Sequence, residues 1–212
     1  MEGTRPGDIV VLAGVNGAGK SSVAGAALRS RGGTFYNPDE ATRAYVFRGL
    51  PAEEANSRAW HRGREQLGRA IRDGGAYAFE TTLGGRSITR LLLEASAVGR
   101  RVRVWYVGLG SPELHVQRVR ERLARGGHDI PVSKIRHRWT ASRENLIRLI
   151  PHLFELVVFD NSVSAALDEG EAPRPVRLLH VRDGIRFIGA PNTLPGWAKP
   201  IVEAAIQAHG PS

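Results

Sequence analysis

The sequence predicts an α/β fold, a three-layer sandwich around a mostly parallel sheet. Three observations carry that expectation. Short apolar, β-branched runs alternate with helical stretches, as strands joined by crossover helices do. The first run, Ile9–Ala13, leads straight into G-V-N-G-A-G-K-S between Gly14 and Ser21, which fits the phosphate-binding P-loop pattern G-x-x-x-x-G-K-[ST]. Polar residues follow several of the later strand ends, which places them on one rim, where ligands bind in such sheets.

The elements follow in order. After the strand Ile9–Ala13, an Ala-rich helix runs over Lys20–Ser30 and points its positive dipole end at the loop. Thr34–Tyr36 reads as a second strand, and Asn37-Pro38-Asp39 opens a helix containing Ala41–Phe47. A long helix over Pro51–Arg72 ends at Gly74-Gly75, before the strand Ala76–Phe79. The helix Ser87–Val98 stops at Gly99, before the strand Val102–Gly108. Ser111-Pro112 starts the helix Pro112–Ala124, Ser133 starts Ser133–Leu149, and Glu155–Phe159 is a further strand. Asp168–Pro173 reads as a surface loop. Val176–Val181 and Ile185–Ile188, around Arg182-Asp183-Gly184, read as a hairpin, and Trp197–Ala208 as a last helix. One domain over residues 1–212 is expected, with residues 174–208 packed on it. Trp60, Trp105, Trp139 and Trp197 are expected in the core or between helices.

Composition narrows the function classes. Hydrophobic residues make up 42%, enough for a packed core, and no apolar run is long enough to span a membrane. No apolar signal region precedes the first strand, so a cytoplasmic setting is expected. There is no cysteine, which excludes disulfides, thiolate nucleophiles and Cys-based zinc sites. The formal charge is +9, and of 30 Lys and Arg all but Lys20, Lys134 and Lys199 are Arg. The arginines are spread along the chain, so an anionic small molecule with ATP accounts for the charge as well as nucleic acid does.

The chemistry begins at the loop. Gly14, Asn16, Gly17, Ala18, Gly19, Lys20, Ser21 and Ser22 are the candidate nucleotide-binding residues. Glycines let successive N–H groups face phosphate oxygens, Lys20 reaches the β- and γ-phosphates, and the Ser21 hydroxyl suits Mg²⁺. Asp39 is either a general base for an acceptor hydroxyl or part of a helix cap, with Asn37 the other candidate cap. Glu80, Thr81 and Thr82 leave a strand together, and Glu80 either holds the acceptor or orders water around Mg²⁺. Asp160 competes for that metal role. A cluster of Arg118, Arg120, Arg122, Arg125, Gly126-Gly127-His128-Asp129, Lys134, Arg136, His137 and Arg138 has the makings of a mobile lid, or else is an Arg-rich helix face. His128 has no partner at metal-ligand spacing.

Taken together, these pieces resemble the zeta-toxin family of P-loop kinases, in a compact form. The resemblance runs from Gly14 through Ser162, about two-thirds of the chain. It is carried by G-V-N-G-A-G-K-S, N-P-D-E, F-E-T-T-L-G-G, R-V-R-E-R-L-A-R-G-G-H-D-I-P, I-R-H-R-W and D-N-S. It implies a P-loop NTPase fold of the nucleoside-kinase-like kind with an Arg-rich lid. It also implies an ATP-dependent kinase acting on the 3′-hydroxyl of a UDP-N-acetyl-amino sugar. By that resemblance Lys20 and Ser21 hold ATP and Mg²⁺, Asp39 is the base, and Glu80 and Thr82 hold the sugar nucleotide. Arg122 and Arg136 match the phosphate clamp best, with Arg138 and Arg118 as alternatives. An antitoxin protein partner belongs to the same implication, although no fused antitoxin segment is present.

Overall fold

The computed structural model describes residues 7–30, 32–125, 130–163 and 175–210. Strand β1 (Asp8–Ala13), an interior strand of the sheet, is buried along its whole length. It pairs in parallel with β2 (Tyr77–Thr81) on one side and β3 (Arg101–Gly108) on the other. β4 (Glu155–Asp160) continues the parallel ladder beyond β3. β5 (Val176–Val181) and β6 (Ile185–Ile188) extend it antiparallel, giving the order β2-β1-β3-β4-β5-β6. The hairpin turn has positive φ at both Asp183 and Gly184, the combination that lets a tight turn match strand twist.

Helices cover both faces because β1 is apolar on both. Ile9, Val11 and Ala13 join a core with Leu67 of α3 (Ala52–Asp73), Leu92 of α4 (Arg86–Ala97), Leu146 of α6 (Val132–Leu149) and Ile201 of α7 (Lys199–His209). Val10 and Leu12 face the other way, toward Ala24 and Leu28 of α1 (Lys20–Arg29) and Leu114 of α5 (Pro112–Ala124). The fold is therefore the three-layer α/β sandwich expected, with a mostly parallel sheet. The remaining helix, α2 (Pro38–Phe47), buries none of its residues and packs chiefly on α3. Among the described residues, no helix is long and apolar enough to cross a membrane.

Three expectations change. Thr34–Tyr36 is not a strand: only Tyr36 pairs, with Phe79. Tyr36 N–H donates to Ala78 O at 2.8 Å and its carbonyl accepts from Glu80 N at 2.8 Å. Gly33 turns back onto Leu28 and Asn37 already caps a helix, so one residue is left to pair at the sheet edge. Trp60 is not core: 41% of it is exposed, on the outer part of α3, whereas Trp105 and Trp197 are buried and Trp139 packs partly buried against the core. Ser133 does not start its helix; Pro131 stands at the cap and Val132 is the first residue. Gly126-Gly127-His128-Asp129 and the loop Asp168–Pro173 lie outside the described residues.

At the sheet end remote from the P-loop, charged groups are buried together. Asp8 forms an ion pair with Arg101 at 2.8 Å and lies 3.4 Å from Arg103, which also reaches Glu155 at 3.3 Å. His180 of β5 meets Glu155 at 3.0 Å. Buried carboxylates need such partners, so these strand arginines serve the fold.

Candidate active site

The carboxyl ends of β1 and β2 build the site. Gly14 has φ 141, and a Cβ there would lie 2.2 Å from Val107 O, so only glycine lets the chain turn out of β1 against β3. The loop then runs into α1, whose first residue is Lys20. Lys20 is partly buried, and among the described residues its Nζ donates one long hydrogen bond, to Val15 O at 3.5 Å. Burial pulls its pKa below the ordinary value, and Arg122 and Arg138 add to that. The carboxylates of Glu80 and Asp39 oppose the shift.

Ser21 Oγ donates to Glu80 Oε1 at 2.7 Å. Glu80 lies within β2, one residue beyond the strand expected from the sequence, and is buried. A hydroxyl and a carboxylate side by side at the foot of a phosphate loop are hard oxygen donors of the kind Mg²⁺ takes. Among the described residues no cluster of three or more His, Asp or Glu side chains suits a metal ion. An ion held here would complete its shell with phosphate oxygens and water. Asp160 instead accepts hydrogen bonds from Ser162, from both its N–H and its hydroxyl.

Asn37 is the cap of α2: its Oδ1 accepts from Asp39 N at 2.9 Å and Glu40 N at 3.3 Å. That leaves the Asp39 carboxylate to face the cavity, where Arg122 Nη1 approaches its Oδ2 at 3.3 Å. Two other donors of Arg122, Nε and Nη2, are buried with no hydrogen-bond partner among the described residues. Buried unsatisfied donors are costly, and an anion entering the cavity would satisfy them.

The three remaining clamp candidates separate. Arg138 donates from Nη1 to Asn16 Oδ1 of the P-loop at 2.8 Å and lines the cavity. Its helix comes this close because residue 84 is glycine: a Cβ there would sit 2.8 Å from Arg138 Cγ. Burial lowers the Arg138 pKa, with Asp39 opposing. Arg136 points the other way, to an exposed ion pair with Glu113 at 3.5 Å, outside the cavity. Arg118 lies against Gly17 of the loop, and its pKa is lowered chiefly by burial.

Lys20, Asp39, Glu80, Thr81, Thr82, Arg122 and Arg138 all line one cavity of about 1430 Å³. It continues outward past Tyr36 and Trp60 to Val46 and Phe47, the last almost wholly exposed at the end of α2.

Two supports lie under the loop, Asn161 of the D-N-S piece and a histidine outside every motif. Asn161 Nδ2 donates to Ala18 O at 2.9 Å. His115 of α5 is buried, and its Nδ1 donates to Asn16 O at 2.8 Å. Burial, with Lys20 and Arg118 nearby, outweighs that bond and lowers the His115 pKa to about 4. The only hint in the sequence is a histidine in the apolar stripe of a helix. The shift predicts a pH dependence with a definite sign. Unfolded His115 gains its proton near its ordinary value, about 6.5, while the folded protein resists until about 4. The stability this contributes is complete above pH 6.5 and is lost as pH falls from there toward 4, by about 3 kcal/mol. Denaturant unfolding of wild type and His115→Gln across that range should show the wild type losing more. Parallel curves would exclude a neutral, buried His115.

No protein-family model and no curated protein matches the sequence. Solved structures do match it in fold. The chain is similar to a chain of the AvrRxo1-ORF1:-ORF2 complex with ATP, at 19% identity and TM-score 0.58 over 85% of this chain. It spans 59% of the length of that chain. A native structure of the AvrRxo1-ORF1:-ORF2 complex aligns at 16% identity and TM-score 0.61, covering 95% of this chain and 70% of that one. A structure from the PezAT chromosomal toxin-antitoxin system of the human pathogen Streptococcus pneumoniae aligns at 14% identity and TM-score 0.53, over 75% and 69% of the two chains. At these identities the likeness establishes the fold.

Proposed function

We propose that this chain is an ATP-dependent kinase that phosphorylates a hydroxyl of a small molecule, with a UDP-N-acetyl-amino sugar as the favoured acceptor. The observation that carries the proposal is the convergence, on one cavity, of Asn16 and Lys20 of the phosphate loop, Glu80 with Ser21 bonded behind it, the Asp39 carboxylate and Arg122, two of whose donors have no partner among the described residues. That set suits in-line phosphoryl transfer, where catalysis is positioning and neutralisation of charge.

Lys20 would hold the β- and γ-phosphates. Ser21 would hold Mg²⁺ with Glu80 ordering its water, and the ion supplies charge neutralisation when bound. Asp39 would accept the proton of the acceptor hydroxyl as its oxygen attacks the γ-phosphorus and ADP leaves. Arg122 and Arg138 would clamp the transferring group; Arg138 replaces Arg136 because it is the one turned to the loop. Thr81 and Thr82 would bind the acceptor, and the cavity volume leaves room for an acceptor beside a triphosphate. A protein partner of the antitoxin kind belongs to this proposal; it is supported by neighbours named as an ORF1:ORF2 complex and a toxin-antitoxin system.

The test is ATP turnover with Mg²⁺ across UDP-sugars, nucleosides and oligonucleotides. Stimulation by a UDP-sugar supports the proposal. Stimulation by oligonucleotides alone, with an affinity that falls steeply with salt, would replace the acceptor class. The arginines give a sharper prediction. Arg122→Ala and Arg138→Ala should each lower kcat by about 10²–10³-fold, more than they raise KM for ATP. Lysine should rescue poorly, since an ammonium cannot make the bidentate contact. Arg136→Ala, losing only an exposed pair, should change kcat by about twofold or less. Equal effects at Arg136 and Arg138 would reduce the clamp to a general basic surface.

A further inference from the structure

The turn between β2 and α4 lines the cavity on the side proposed for the acceptor, and its backbone is held at Thr81, Leu83 and Gly85. Thr81 O accepts from Gly14 N at 3.2 Å, which ties the turn to the phosphate loop. Thr81 Oγ1 accepts from Leu83 N at 3.0 Å, and Thr89 Oγ1 donates to Gly85 O at 3.1 Å. Leu83 is the exceptional member. Its φ is 53, in the left-handed region that a branched, non-glycine residue enters at a cost of about 1 kcal/mol or more. Its side chain is fully buried in the core, so the turn cannot relax by letting it swing out.

One side chain from elsewhere in the fold holds this conformation. Asn145 of α6 is buried, and its Nδ2 donates to Leu83 O at 2.8 Å. Asn145 lies two helical turns beyond Arg138 on the same helix, which places both on one side. Arg138 crosses Gly84 of the same turn on its way to Asn16. A single helix thus fixes the acceptor wall through Asn145 and touches the phosphate loop through Arg138.

We infer that Asn145 is a positioning residue for the acceptor: by holding the strained Leu83 turn it sets where Thr82 stands in the cavity, without touching either substrate. The inference rests on the kinase proposal for its kinetic consequence and on the structure alone for the clasp. Without the Asn145 donor, the Leu83 carbonyl is buried and unsatisfied, and the strained φ loses the contact on its carbonyl side, keeping only the Thr81 bond to its N–H and the packing of its side chain. The turn should open, and the cost should fall on acceptor binding and not on ATP.

The experiment compares Asn145→Ala with Ser142→Ala. Ser142 is buried on the same helix and pairs with Tyr106 at 3.1 Å, away from the turn, so it controls for lost stability. Hydrogen exchange over Thr81–Gly85 is read first, with melting temperature. Steady-state kinetics follow, with Mg·ATP and UDP-N-acetylglucosamine. The inference predicts faster exchange in that turn for Asn145→Ala only. It also predicts an acceptor KM raised about tenfold or more, with KM for ATP within about twofold. Exchange unchanged relative to Ser142→Ala, or equal losses for both substrates, would overturn it. If the wild type phosphorylates no acceptor, the kinase proposal fails by itself. The clasp is then decided by exchange, supported by local deprotection in Asn145→Ala and overturned by its absence.

Discussion

Lys20→Ala is expected to abolish phosphoryl transfer, lowering kcat by about 10³-fold or more, while the protein stays folded. The lysine is partly desolvated, which pulls its pKa down, and the nearby Glu80 and Asp39 carboxylates oppose that shift. It is a cation held at some cost, with little to bind among the described residues beyond Val15 O at 3.5 Å. Incoming phosphate oxygens would be its true partners. An alanine removes that charge from a site where water screens poorly, and the planar guanidiniums of Arg122 and Arg138 cannot take the place of a point charge under the loop. Because the cation contributes little to packing, the melting temperature should stay within a few degrees of wild type. The two readouts belong together: normal ATP turnover in a folded Lys20→Ala protein would remove the nucleotide assignment.

The second large effect is expected at Asp39. Asn keeps the size and removes the proton acceptor, so transfer should fall by about 10²-fold or more with ATP affinity nearly unchanged. The helix does not depend on the carboxylate, because Asn37 supplies the cap. Arg122 loses its anionic partner at 3.3 Å, but that pair is only half-buried, so the effect on stability should be small. Pre-steady-state transfer with titrated ATP binding separates the possibilities. Weaker ATP binding with an unchanged transfer step would make Asp39 a structural residue and place the base elsewhere.

The parts of the site that were legible in the sequence are the local ones. The P-loop declares itself because a fixed spacing of glycines, Lys20 and Ser21 has a single backbone consequence, and the apolar run before it supplies the strand. Glu80 was visible as an acid closing an apolar run, though its bond to Ser21 crosses 59 positions and no local pattern reveals it. The choice between Arg136 and Arg138 shows a different limit. Two residues apart on a helix is a swing of about 200°, so one arginine faces the loop and the other faces solvent. Which is which depends on the roll of α6, set by buried Ile135, Ser142, Asn145 and Leu146. His115 and Asn145 were hidden for a related reason. Each is a polar residue inside a helix, and its partner lies 99 or 62 positions away. Thr34–Tyr36 went the other way: β-forming residues in the right place, with too few free positions between Gly33 and the Asn37 cap to make a strand.

The central claim is transfer of phosphate to a hydroxyl in the cavity shared by Lys20, Asp39 and Arg122. It is tested most directly by incubating the protein with Mg·ATP and UDP-N-acetylglucosamine and examining the acceptor by mass and phosphorus NMR. The account predicts ADP and an acceptor carrying one added phosphoryl group on a sugar hydroxyl, absent with Lys20→Ala and strongly reduced with Asp39→Asn. An acceptor recovered unmodified, with ATP intact or cleaved only to ADP and free phosphate, and the same outcome for every other hydroxyl compound tried, would contradict it.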